Sequence, residues 1–237
     1  MKLTVRDMSE MLGVSEKTVY RWIGEQKLPG YRVSGQYRFN RAEVLEWATA
    51  NKLQVSTAAL QETESYDLPL PALPDALQAG GIHYRVGGTD KESALHGVVE
   101  IVRLPEDVDR EYLFQALIAR EQLASTGIGD GIAVPHPRYP IVLHLNKPMA
   151  SLCFLEKPVE YGALDGRPVH ALFAVISPTV RGHLHLLSHI SFALRDAEFR
   201  NLVIAQAGRD ELTKCVGRIC FEPHPPSGAD LTESESP

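Results

Sequence analysis

The 237 residues are 44% apolar and 23% charged, an ordinary globular balance in a chain long enough for one large domain or two modest ones. No apolar run approaches the roughly 18–20 residues of a membrane helix, and the N-terminus lacks the charged start, apolar core and cleavage site of an export signal. A cytoplasmic chain without membrane partners is therefore expected. The net charge of −6 divides unevenly: residues 1–52 hold nine Lys/Arg against six Asp/Glu, for +3, and the remainder carries −9. The first segment suits a polyanion and the second a protein or small ligand.

Val5, Met8, Met11 and Leu12 fall three or four apart, as on one helix face, with Thr4 as N-cap. Gly13 breaks that helix, and Ser15 caps a second one with Val19, Trp22 and Ile23 inward and Lys17, Thr18, Tyr20 and Arg21 outward. Two short helices joined by a tight glycine turn make a helix-turn-helix. Tyr31/Val33 and Tyr37/Phe39 then alternate about Ser34-Gly35, predicting a β-hairpin that carries Arg32 and Arg38. Asn40 caps a third helix with Val44, Leu45 and Trp47.

These residues, from Thr4-Val5 to Glu46-Trp47, resemble the excisionase and MerR-type winged helix-turn-helix DNA-binding module. The resemblance implies that the second helix enters a major groove and the hairpin wing lies along the backbone or minor groove. It places Glu16, Lys17, Thr18, Tyr20 and Arg21 near base edges or phosphates, and Arg32 and Arg38 on phosphates. Such readers commonly pair on two half-sites, so a homodimer is expected.

Residues 53–76, with Pro69, Pro71 and Pro74, lack apolar periodicity and read as a linker. A second domain is expected over 77–222, and then a Pro/Ser/Glu-rich tail over 223–237 that reads as disordered. Within the domain, 82–86 reads as a strand and 91–104 as a helix with Ala94, Leu95, Val98 and Val99 inward. A further helix, capped near Asp109, carries Leu113, Leu117 and Ile118 and ends at Arg120-Glu121. Ala171–Ile176 is a core strand by length, and Asp165-Gly166 a turn.

The most informative stretch is STGIGDGIAVPHPR, residues 125–138. Gly127, Gly129 and Gly131 permit close backbone approach and positive φ. Ser125 and Thr126 supply hydroxyls, and the short strand Ile132–Val134 delivers His136 between Pro135 and Pro137, with Arg120 and Arg138 near in sequence. A neutral imidazole nitrogen can attack phosphorus while arginines, hydroxyls and backbone N–H groups hold the phosphoryl oxygens. From the residues alone, a metal-binding histidine and a satisfied core histidine remain open beside that reading. Cys215, Cys220 and His224, and the His185/His189 pair four apart, are read as structural or surface residues, because a closed zinc site wants four ligands. The cysteines Cys153, Cys215 and Cys220 form no disulfide framework and suit a reducing compartment. No metal and no cofactor are expected.

The same stretch, with the preceding Arg120-Glu121, the ALDGRPVHALFAVISP segment and GHLHLLSHISFALRD, resembles phosphotransferase-system IIA domains of the fructose, mannitol and nitrogen-regulatory class. The resemblance implies a C-terminal α/β fold, a mixed sheet with helices on its faces. It makes His136 the phosphoryl acceptor, Arg120 a phosphate-binding arginine and His183 the second active-site histidine, with Ser125 and Thr126 as hydroxyl partners. Pro137 departs from the small residue usual in the family and removes a backbone N–H. The function implied is a DNA-binding transcriptional regulator whose IIA-like domain is phosphorylated by an HPr-type phosphocarrier, regulatory more than catalytic. Two alternatives stand beside it: a nitrogen-regulatory protein acting through phosphorylation-dependent protein contacts, and a phosphocarrier component serving a sugar permease.

Overall fold

A computed structural model describes residues 3–25, 27–33, 35–51, 53, 70–105, 108–139, 145 and 147–221. Most of the expected linker, the expected tail, His144, His224 and the hairpin's Ser34 lie outside the described residues.

Helix α1 (Val5–Leu12) is capped by Thr4 and Asp7 in a reciprocal capping box, and Gly13 ends it in the left-handed conformation at φ 63°. Ser15 caps α2 (Glu16–Gly24) by accepting from the Thr18 N–H. Strands β1 (Tyr31–Val33) and β2 (Gln36–Arg38) form an antiparallel hairpin, and Asn40 caps α3 (Arg41–Ala50). Met8, Val19, Phe39, Val44 and Ala48 are fully buried at the centre of this small domain.

The second domain begins earlier than its composition suggests. Helix α4 (Leu73–Gly80) occupies part of the expected linker, with Pro74 in its first turn, where a missing N–H costs no hydrogen bond. Leu73, Ala76 and Leu77 are buried. The remaining elements are β3 (Ile82–Val86), α5 (Lys91–Ile101), α6 (Arg110–Leu123), β4 (Gly127–Gly129), β5 (Ile132–Ala133), β6 (Met149–Val159), β7 (Val169–Ile176), α7 (Val180–Ala193), α8 (Ala197–Ile204) and α9 (Arg209–Phe221). Gly80 packs its backbone onto β6, where an added Cβ would sit 2.2 Å from the Ala150 carbonyl oxygen.

The sheet runs β3-β6-β7-β5-β4, with β3/β6 and β5/β7 parallel and β6/β7 and β4/β5 antiparallel. It is the expected mixed sheet. Strict alternation divides its two faces: Leu172, Ala174 and Ile176 face the core under α5 and α6, while Ala171, Phe173 and Val175 face the core with α4, α7, α8 and α9. The short β5 therefore sits against a central strand with helices on both faces, and the residues just beyond it start from a rigid base. Among the described residues no helix is long and apolar enough to cross a membrane.

Candidate functional site

The β5 extension is pinned from two sides. Val134 donates its N–H to the Thr126 carbonyl, and the Pro135 carbonyl accepts from the Val175 N–H. Gly129 and Gly131 adopt φ 106° and 73°, so the β4–β5 turn uses the backbone freedom expected of them. Gly127 instead provides closeness, since an added Cβ there would lie 2.8 Å from Ala163 Cα.

His136 leaves this pinned segment half-buried between the buried Pro135 and Pro137. Its Nδ1 lies 2.7 Å from the Val134 carbonyl oxygen. A carbonyl can only accept, so Nδ1 carries the proton and the lone pair belongs to Nε2. On that side Arg120 Nε–H donates to Nε2 at 3.3 Å, which fits only the unprotonated nitrogen. Burial, opposed by the bond to Val134 and reinforced by Arg120, lowers the His136 pKa and favours the neutral ring.

His183 stands in the first turn of α7, whose N-cap Thr179 accepts from the Gly182 N–H. Its ring centroid is 5.2 Å from that of His136, at 62°. Burial first, then His136 and Arg120, push its pKa down to about 4. Its Nδ1 is buried without a hydrogen-bond partner among the described residues. The sequence-predicted trio of Arg120, His136 and His183 is thus assembled in one place.

The two hydroxyls are engaged elsewhere. Ser125 Oγ–H donates to the Tyr161 carbonyl at 3.0 Å and accepts from the Gly127 N–H. Thr126 Oγ–H donates to Glu121 Oε2 at 2.5 Å, and the Thr126 N–H also bonds this carboxylate. Lys91 Nζ reaches Glu121 Oε1 at 3.2 Å and lies over the Tyr161 ring. This buried network, of which the sequence signals Glu121 and Thr126 but not Lys91 or Tyr161, fixes the loop ahead of β4. Lys91 and Tyr161 stand 30 and 40 residues from Glu121 along the chain, so no local pattern signals them.

On the N-terminal domain Glu16, Lys17, Tyr20, Arg21 and Arg32 are exposed. Tyr20 stacks edge-on against Tyr37 of the hairpin, with centroids 6.2 Å apart, tying α2 to the wing. Thr18 is half-buried and bonded to the Ser15 hydroxyl, so it completes the cap. Arg38 is folded along its own hairpin, onto the Tyr37 carbonyl and Gln36 Oε1.

The domains touch through other surfaces. Val33 joins the core under α6, and the Tyr31 ring meets Tyr112 edge-on at 5.4 Å. The Tyr31 hydroxyl donates to Glu43 at 2.5 Å, and burial raises both pKa values. Arg138 forks onto Glu46 of α3 at 3.0 and 3.1 Å, and the Tyr139 hydroxyl bonds the same carboxylate. Arg138, read from sequence as a phosphate partner, is instead an interdomain tie here. Among the described residues no three His, Cys, Asp or Glu side chains converge as a metal site. His185 and His189 stack at 4.1 Å, and His185 Nε2 meets the Pro71 carbonyl.

Two family models match the chain. Residues 76–217 match the phosphoenolpyruvate-dependent sugar phosphotransferase system EIIA 2 domain, and residues 3–52 match a helix-turn-helix domain. The nitrogen regulatory protein of Pseudomonas aeruginosa is 37% identical over 133 residues, covering 54% of this chain and 84% of the relative. That of Escherichia coli is 31% identical over 134 residues, 56% of this chain and 81% of the relative. The crystal structure of nitrogen regulatory protein IIA-Ntr from Neisseria meningitidis aligns at 23% identity and a TM-score of 0.49, over 57% of this chain and 92% of that one. The chain belongs to the EIIA type 2 family of the phosphotransferase system, with a helix-turn-helix domain ahead of its EIIA domain.

Proposed function

We propose that this chain is a DNA-binding transcriptional regulator whose EIIA-type domain takes a phosphoryl group on His136 from an HPr-type phosphocarrier. The observation that carries the reading is the tautomer lock. With Nδ1 tied to the Val134 carbonyl, the nucleophilic lone pair lies on Nε2, beside a guanidinium able to hold the arriving anion.

In transfer, Nε2 attacks phosphorus as the donor's bond to phosphorus breaks, and that electron pair stays with the donor. Arg120 moves from Nε2 to a phosphoryl oxygen, exchanging a neutral acceptor for an anionic one. The positive charge developing on the ring is shared with the Val134 carbonyl through Nδ1–H. A phosphoryl oxygen also gives His183, whose Nδ1 has no hydrogen-bond partner among the described residues, a charge to interact with. Leu184 on α7, with Ile128 and Leu164 near the β4–β5 turn, is exposed apolar surface suited to a protein donor.

At the other end, α2 presents Lys17 and Arg21, and the hairpin presents Arg32, all in solvent and suited to phosphates. The nitrogen-regulatory relatives favour a second reading, in which phosphorylation governs a protein contact. Selection from a pool of random-sequence duplexes, then salt titration of the enriched duplex, separates the two. The first reading expects enrichment and a fall in log affinity with log salt of about 0.9 per neutralised phosphate. No enrichment, or affinity indifferent to salt, overturns the DNA-binding part.

A further inference from the structure

The helix-turn-helix domain sits on the rim of the acceptor site. A cleft of about 340 Å³ separates the domains, lined by Glu43, Glu46 and Trp47 on one side and Arg120, Leu123 and Arg138 on the other. Arg120 is the group that touches His136 Nε2. Arg138, two residues beyond His136, is held by Glu46. The exposed cations of α2 and the wing's Arg32 face solvent while this contact is made, so docking leaves the proposed DNA face open and engages the Arg120 and Arg138 side of the EIIA domain instead.

We infer that the α3–β1 face of the N-terminal domain is a latch over the acceptor site, and that phosphorylation of His136 and docking of this domain oppose each other. The inference rests on the proposed phosphorylation of His136. A phosphoryl group adds a charge of about −2 beside Arg120, whose side chain also lines the cleft that Glu43 and Glu46 face. It repels Glu46 and offers Arg138 a stronger, doubly charged partner than one carboxylate. Beneath the ion pair, the buried Glu43–Tyr31 bond and the Tyr31–Tyr112 contact give the docked state a defined seat. That seat makes the latch a two-state element, not a graded attraction. Coupling of this kind is reciprocal: whatever factor phosphorylation takes from docking, docking takes from phosphorylation.

The chain's two tryptophans, Trp22 and Trp47, both lie in the N-terminal domain, in contact with centroids 5.2 Å apart, and Trp47 lines the cleft. Acrylamide quenching of their fluorescence therefore reports opening. The full chain is incubated with enzyme I, phosphocarrier and phosphoenolpyruvate, and intact mass and quenching are read on the same sample. A mass shift with increased quenching supports the latch. A mass shift with unchanged quenching overturns it while leaving the acceptor reading intact. No mass shift overturns the acceptor reading and the latch with it. The variant Glu46→Gln keeps the side chain's size and removes its charge. It should raise quenching before any phosphoryl is added and speed uptake about two- to fivefold, the range of one exposed ion pair. Wild-type quenching and wild-type uptake in this variant also overturn the latch.

Discussion

The two ends of this molecule handle charge in opposite ways. On the helix-turn-helix domain, Lys17, Arg21 and Arg32 stand in solvent, as the proposed reading of a polyanion requires. At the proposed acceptor site, Glu121 is buried with its oxygens bonded to Thr126 and Lys91, and His136 has both ring nitrogens engaged. The lesson is about cost. A surface that reads phosphate along a duplex needs number and spacing, whereas a ring that accepts one phosphoryl group needs a single tautomer held in place, and that demands burial and a supporting network.

The contrast is sharpest at Arg120. Its replacement by alanine leaves the tautomer of His136 intact but removes the guanidinium beside Nε2, so phosphoryl uptake should slow about a hundredfold or more in quenched-flow mass measurements. DNA affinity should not change. Glu121→Ala strips the loop ahead of β4 of its buried acceptor and leaves Lys91 and Thr126 unmatched. A loss of about 2–4 kcal/mol is expected in urea denaturation of the C-terminal domain.

At the exposed end, the changes should be smaller and additive. Lys17→Ala with Arg21→Ala should weaken duplex binding about tenfold and reduce the log–log salt slope by about 2, with phosphoryl uptake untouched. A further effect, of similar size, is one of pH. His183 is held down to about 4 and His136 is lowered as well, so below the ordinary histidine value near 6.5 the unfolded chain binds protons that the folded chain refuses. Stability of the C-terminal domain should therefore fall as pH drops from about 6.5 to about 5, with His183 contributing at most about 1.4 kcal/mol per pH unit. Residues 1–52 contain no histidine, and their domain should show no such slope in that window.

Local signals made much of this legible in the sequence. Thr4, Ser15, Asn40 and Asp109 announce helix starts, because a capping side chain needs only its own next three residues. The hairpin and the glycine turn are local in the same way. What escaped is non-local or masked by composition. Three prolines over 69–74 hid α4, although Pro74 is harmless in a first turn. The helix expected over 91–104 stops at Ile101, where Val102 turns extended. Arg138 finds Glu46 92 residues away, a pairing no motif encodes, and the Ser125 and Thr126 hydroxyls bind Tyr161 and Glu121 instead of facing an open site.

The chemistry of His136 Nε2 is open to a direct test. The purified chain and its His136→Ala variant are mixed with enzyme I, phosphocarrier and phosphoenolpyruvate, and intact mass is read at neutral pH with acid lability as the check for a phosphoramidate. The expected result is one acid-labile phosphoryl group on the wild type and none on the variant. An unmodified wild type, or a variant modified to the same extent, contradicts it.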